Sequence, residues 1–307
     1  MKALIERFFG GNPPATIPLS PKEHEDVPVQ TAHPNGHFYS PVVDPDSIEA
    51  QSARIWPEDP EVLGIDFNEA SHRQILGSYF PKFLPEYDYP ETVEDSDVLE
   101  QFYTRNSQFS WLDSRSMFVL LRAWQPRRLI EVGSGYSTLL AADVKRRFLD
   151  DRLDITCIEP YPRPFLRHGF SGLNRLVEKK VQDVPLSEFA QLEAGDILFI
   201  DSSHVAKTGS DVNFLYFEVL PRLNPGVRIH VHDIFLPSDY PHDWVVTENR
   251  SWNEQYLLRA LLMYSTAFEV TFSCSHAYWR HRELLKEALA YPDGRAFGGG
   301  SIWLVRR

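Results

Sequence analysis

From about residue 114 onward, apolar positions alternate between two patterns. One is the short continuous run, at 128–132 (Arg-Leu-Ile-Glu-Val), 154–159, 176–181, 196–200, 227–231 and 268–273. The other has helical spacing, near 138–149, 163–168, 186–192, 210–223 and 252–264. An earlier helix at 114–124 places Met117, Leu120, Leu121 and Trp124 on one side and stops before Pro126. Short apolar strands separated by helices of this length predict βαβ crossovers and a mainly parallel sheet. A charged helix near 281–290, a flexible Gly298-Gly299-Gly300 and a last strand, Ser301 to Val305, close the order. This seventh strand, arriving after the sixth and a helix, is expected to insert antiparallel.

Residues 1–100 lack that regularity and form a loop-rich extension. Prolines at 13, 14, 45 and 60 restrict their own φ and the residues before them, so 11–60 should be mostly extended and looped. Helical spacing returns only at 69–80. Within the looped part, His37-Phe38-Tyr39-Ser40-Pro41 is either a pin onto the domain or part of a lid over a pocket.

Composition narrows the function classes. A net charge of −12 argues against a surface built to bind phosphate backbones, so no nucleic-acid partner is expected. Two cysteines, Cys157 and Cys274, fall in apolar strands and suggest neither a disulfide framework nor a thiolate metal site. No apolar run approaches the roughly 18 residues of a membrane span, and Met1 to Gly10 has no signal-peptide core. A cytoplasmic protein with no membrane partner is the expectation.

The sharpest local signal joins the first strand to its helix: Glu131-Val132-Gly133-Ser134-Gly135-Tyr136-Ser137-Thr138. Glycines here permit a tight turn and close approach of a ligand to backbone. Thr138 occupies the third glycine position of a dinucleotide fingerprint, which disfavours a dehydrogenase. Glu131, two positions ahead of the first glycine, is placed to face a cationic ligand portion. Glu159 ends the second strand, where a carboxylate accepts from ribose hydroxyls. Asp183 follows the third strand, within reach of a purine amino group.

The fourth strand ends in Asp201-Ser202-Ser203-His204 and the fifth in His232-Asp233. Both tips belong at the carboxyl edge of the sheet, beside the same crevice. His204 titrates near neutrality and is the candidate general base, with Asp201 shaping its surroundings. Asp201, His232 and Asp233 form a candidate oxygen/nitrogen metal site. Hard Mg²⁺ prefers oxygen, so His232 weakens the case for magnesium and leaves Mn²⁺ or no metal open. Trp252-Asn253-Glu254-Gln255-Tyr256 and the loop holding Tyr240, His242, Asp243 and Trp244 suit either sugar recognition or loop anchoring.

On Leu129 to Thr138, Ile158 to Pro162, Phe199 to Asp211 and Val231 to Phe235, the chain resembles class I S-adenosylmethionine-dependent methyltransferases. Within them it looks like a bacterial group associated with polysaccharide and natural-product pathways. The resemblance covers about residues 100–307 and implies a Rossmann-like α/β methyltransferase domain at 101–307, with 1–100 as a lid or substrate-pocket element. It implies that Gly133 and Gly135 border the methionine part of S-adenosylmethionine, Glu159 holds its ribose and Asp183 lies near its adenine. In metal-dependent O-methyltransferases of this class, acidic residues at the same two strand ends bind magnesium. The expected reaction is O-methylation of a hydroxyl on a saccharide or small polar metabolite. A nitrogen or carboxylate acceptor is one rival, and a cofactor-binding scaffold without turnover is another.

Overall fold

The computed structural model describes residues 31–93, 99–291 and 294–307. The readings of residues 1–30 therefore lie outside it. Seven strands form one sheet in the order β3-β2-β1-β4-β5-β7-β6. They are β1 (Arg128–Val132), β2 (Asp154–Ile158), β3 (Arg175–Val177), β4 (Ile197–Ile200), β5 (Arg228–Val231), β6 (Phe268–Ser273) and β7 (Ile302–Arg306). β1 pairs parallel with β2 and β4, while β7 runs antiparallel between β5 and β6. This is the expected Rossmann-like methyltransferase sheet. The chain winds outward from β1 to β3 and then returns to the other side of β1. That reversal opens a crevice between the carboxyl ends of β1 and β4.

The central strands are apolar throughout because both sheet faces are covered. Side chains alternate between faces with a period of two. Leu129, Ile155, Phe199 and Trp303 join one core cluster, and Ile130, Val132, Leu198, Ile200 and Leu304 join the other. The first cluster lies under α4 (Trp111–Trp124) and α5 (Tyr136–Phe148). Helical α8 starts at Asp211–Phe214 and continues through a π-turn at Leu215–Val219, covering the second with Val212, Leu215 and Val219.

The segment before residue 100 is more structured than its prolines suggest. Short helices occupy Pro45–Glu49 (α1) and Ser52–Ile55 (α2), each starting where the chain turns. Next, α3 runs from Glu69–Gln74 through a π-turn at Ile75–Tyr79 into Phe80–Phe83. Its Ile75, Leu76 and Phe80 enter the same core as Met117 and Phe118. Further up, Trp56 Nε1 donates to Tyr240 O at 2.7 Å and Val43 N to Ser251 Oγ at 3.2 Å. This strap lies along the loop after β5. The aromatics of 37–41 do not pin it: Phe38 and Tyr39 are 81% and 68% exposed and stack chiefly on each other.

Three further differences have physical reasons. β3 is shorter than 176–181 and gives way to a 3-10 turn at Val181–Asp183. A helix, α11 (Cys274–Arg280), follows β6 without a loop because Ser273 Oγ caps it, accepting from His276 N at 3.2 Å. Gly298 to Gly300 are buried rather than flexible. A Cβ on Gly299 would stand 2.5 Å from the Asp113 carboxylate, and one on Gly300 would stand 2.8 Å from Asp233 Cα. No helix among the described residues is long and apolar enough to cross a membrane.

Candidate active site

The turn after β1 is built around one unavoidable glycine. Gly133 has φ +78°, and its missing Cβ would stand 1.7 Å from Asp201 O. The backbones of the β1 and β4 tips thus touch at the switch point. Gly133 N donates to Ile158 O at 3.0 Å and Asp201 N to Val132 O at 2.8 Å, joining three strand ends. Gly135 differs: an added Cβ would meet nothing within 4 Å, so space lies open beside it. It immediately precedes α5, whose first-turn amides point toward that end of the helix.

Glu159 leans over this turn. Its Oε2 accepts from Ser134 N at 3.2 Å and its Oε1 from Tyr161 N at 2.8 Å. Burial raises its pKa against those two amides. The Ser134 hydroxyl beside it is buried without a hydrogen-bond partner, as expected of a group that meets a ligand. The carboxylate, which keeps lone pairs beyond these two bonds, and the unpartnered hydroxyl would fit the polar ribose end of S-adenosylmethionine. Asp183 is exposed at the end of the 3-10 turn, and its neighbour Gln182 donates to Gly209 O at 2.9 Å.

Four residues of the motif do other work. Glu131 does not face a ligand. By the alternation of β1 it shares the face of Leu129, beneath α5, and it is fully buried. It accepts from Ser137 Oγ and, at 2.6 Å, from Thr138 Oγ1. Burial pushes its pKa up to about 7. Glu131, Ser137 and Thr138 therefore tie β1 to α5 instead of lining the cofactor crevice. The Tyr136 ring stacks on Phe165 at 5.8 Å, and its hydroxyl meets that of Tyr103 at 3.3 Å.

At the tips of β4 and β5 the structure brings together Asp201, His204 and Asp233. His204 Nε2 lies 3.3 Å from Asp201 Oδ1 and 3.4 Å from Asp233 Oδ2. Its Nδ1 faces Glu254 Oε2 at 2.9 Å. His204 and Asp233 both adopt the left-handed backbone region, at φ +61° and +56°, a cost typical of functional sites. His204 is fixed there because its carbonyl accepts from Asn253 N and Glu254 N, each at 3.1 Å. Burial disfavours the imidazolium, but the Asp201 and Glu254 carboxylates outweigh it and hold the His204 pKa well above its usual value. Burial raises Asp233 and Glu254, while at Asp201 the His232 and His204 rings overcome burial and lower it.

His232 stands at the edge of this group. Its Nε2 is 3.6 Å from Asp233 Oδ1, its Nδ1 has no hydrogen-bond partner, and its ring packs 5.4 Å from Phe109. The donor atoms that converge within 4.8 Å are those of Asp201, His204 and Asp233. In the site the sequence suggested, His204 thus takes the place given to His232. Sequence reasoning placed Glu254 only within a stretch suited to sugar recognition or loop anchoring and did not pair it with His204. No local signal marks it, since it reaches His204 across 50 residues.

The loop after β5 is anchored by amides and aromatics. Gln255 Oε1 accepts from Phe235 N at 2.5 Å, and Gln255 N donates to Tyr240 OH at 2.9 Å. Trp252 lies 4.4 Å from the His204 ring, and the Arg250 guanidinium lies over both the Trp244 and the Trp252 rings. Pro41 and Val43 from the strap, with Tyr240, Trp252, Asn253 and Tyr256, line a small cavity.

Residues 130–234 match the family described as "Methyltransferase domain". A relative from Archaeoglobus fulgidus, described as an uncharacterized protein, is 39% identical over 178 residues, covering 56% of this chain and 78% of its own. Among solved structures, an O-methyltransferase from Bacillus cereus in complex with SAH is 15% identical, with 85% of this chain and 97% of that chain covered and a TM-score of 0.37. A chain from Thermobifida fusca, itself assigned as a methyltransferase, is 13% identical over 63% of this chain and 78% of its own, with a TM-score of 0.41.

Proposed function

We propose that the chain, whose residues 130–234 match a methyltransferase domain, transfers the methyl group of S-adenosylmethionine to a hydroxyl oxygen of a saccharide or another small polar metabolite. In that reaction the oxygen forms a bond to the methyl carbon as the sulfonium C–S bond breaks, and the hydroxyl proton must leave. The protein has chiefly to align the two and accommodate that proton. The observation that carries the reading is the convergence of Asp201, His204 and Asp233 at the tips of β4 and β5, with the Asp201 backbone packed against Gly133 of the glycine turn. The cavity lined by Tyr240, Trp252 and Tyr256 supports a polar ring-shaped acceptor, and Pro41 and Val43 bring the segment before residue 100 into its wall.

The three converging side chains suit a divalent cation, Mn²⁺ or, less favoured by the nitrogen donor, Mg²⁺. The Glu254–His204 contact supports this, because a metal-bound imidazole usually gives its other N–H to a carboxylate. When bound there, the cation would lower the pKa of an acceptor hydroxyl. Chelator is then expected to abolish methyl transfer and Mn²⁺ to restore it, read as labelled methyl incorporated into an acceptor panel.

The same contact also orients an imidazole acting as base. That second reading needs neutral His204, so without metal the rate should climb as pH rises through its raised pKa. Full activity in excess chelator with that profile would select it. For the cofactor, Glu159→Ala is expected to weaken S-adenosylhomocysteine binding by about 1–3 kcal/mol. Calorimetry on folded protein checks this, and unchanged affinity would remove Glu159 from the ribose site.

A further inference from the structure

A second group of metal-type donors lies away from the crevice, where α3 meets α11 and the helix after it, α12 (Arg282–Leu289). His276 Nε2 is 2.8 Å from Glu69 Oε1, and His281 Nε2 is 2.7 Å from Glu69 Oε2. Both imidazoles are more than nine-tenths buried, whereas the Glu69 side chain is 54% exposed. His281 Nε2 makes no hydrogen bond despite that short approach.

The surroundings hold the two rings in place. Phe67 stacks on His276 with centroids 4.2 Å apart and planes within 5°. A third histidine, His72, is wedged behind them, 5.0 Å from the His276 ring and 5.6 Å from that of His281. It is no ligand: its Nε2 accepts from Ser273 N at 2.9 Å, and its Nδ1 meets Asn68 O at 3.2 Å. The nearby cation Arg280 is engaged by Asp59 and the Pro60 carbonyl. Burial keeps His276 and His281 below their ordinary pKa, in the neutral form that binds metal, while the hydrogen bond from His276 helps hold the Glu69 pKa down against burial.

We propose that Glu69, His276 and His281 bind one Zn²⁺, with solvent in the fourth position. Two imidazoles and a carboxylate form a nitrogen-rich set suited to zinc and poorly suited to Mg²⁺ or Ca²⁺. Tetrahedral ligands about 2.0–2.1 Å from zinc stand about 3.3 Å apart. The carboxylate, the exposed member, must therefore withdraw by a fraction of an ångström while both buried rings stay fixed. Such an ion clamps α3 to the end of β6 and to the last two helices. The proposal does not depend on the methyl-transfer reading.

The test uses the full chain without a polyhistidine tag, stripped with chelator, given excess Zn²⁺ and gel-filtered. Bound metal is measured by elemental mass spectrometry and melting temperature by calorimetry. Zinc is expected to remain with the wild type and with an Asp201→Asn/Asp233→Asn variant, and to raise the melting temperature of both. Glu69→Gln, at an exposed position, should fold normally and bind zinc about 10-fold more weakly or worse. His281→Asn should behave likewise, with circular dichroism checking its fold. Zinc absent from wild type, retained undiminished by Glu69→Gln, or lost only when Asp201 and Asp233 change would overturn the proposal.

Discussion

Replacing Gly133 by alanine is expected to cost several kcal/mol of stability and abolish binding of S-adenosylhomocysteine. The added Cβ would stand 1.7 Å from Asp201 O and 2.7 Å from its carbonyl carbon, atoms that cannot swing aside. The left-handed backbone alone costs a non-glycine residue about 1–2 kcal/mol. The rest comes from prising apart β1 and β4 at their tips. Gly135→Ala is the informative partner, because its φ of −174° is extended and its Cβ meets no protein atom within 4 Å. Its stability should change by less than about 0.5 kcal/mol, while cofactor affinity falls if the ligand backs onto that position. Denaturant melts and calorimetric titration of the two variants separate these effects. A Gly135→Ala protein with wild-type affinity would move the cofactor away from the turn.

The second large effect is expected at Glu254. Glu254→Ala removes the carboxylate that faces His204 Nδ1 at 2.9 Å in a fully buried setting. Breaking one side of a buried pair typically costs about 3–5 kcal/mol. The conservative Glu254→Gln keeps the shape and should lower turnover by about 10- to 100-fold through His204. Its signature is in titration. His204 has a folded pKa above its ordinary 6.5, so its stabilising contribution is complete below pH 6.5 and lost as pH rises through the folded value. Glu254→Gln should move that loss to lower pH, followed by imidazole NMR and by melting temperature against pH. An unmoved His204 titration in a folded variant would show that Glu254 does not govern it.

Much of this architecture was legible in the chain because strands buried on both faces are written as contiguous apolar runs. Leu129 to Val132 and Ile197 to Ile200 could be read in this way, and the helices between them implied parallel crossovers. The acids and histidines at strand ends were visible for the same reason, since a strand's end is local. Short range also explains what was readable at the glycine turn: its tightness follows from Gly133 and its neighbours alone.

Three-dimensional neighbourhood decided the rest. Glu131 looked available to a ligand until the period of two on β1 put it beneath α5, among hydroxyls from the following helix. Gly299 and Gly300 looked mobile, yet Asp113 and Asp233, each distant in sequence, leave no room for a Cβ. His204 gained its partners from two other loops, and the Glu69, His276 and His281 group spans more than 200 residues. Local pattern determines which segments become strands and helices, because their hydrogen bonds and exposed faces repeat over a few residues. Which polar side chains meet, and with what proton affinity, depends on elements brought together only by packing.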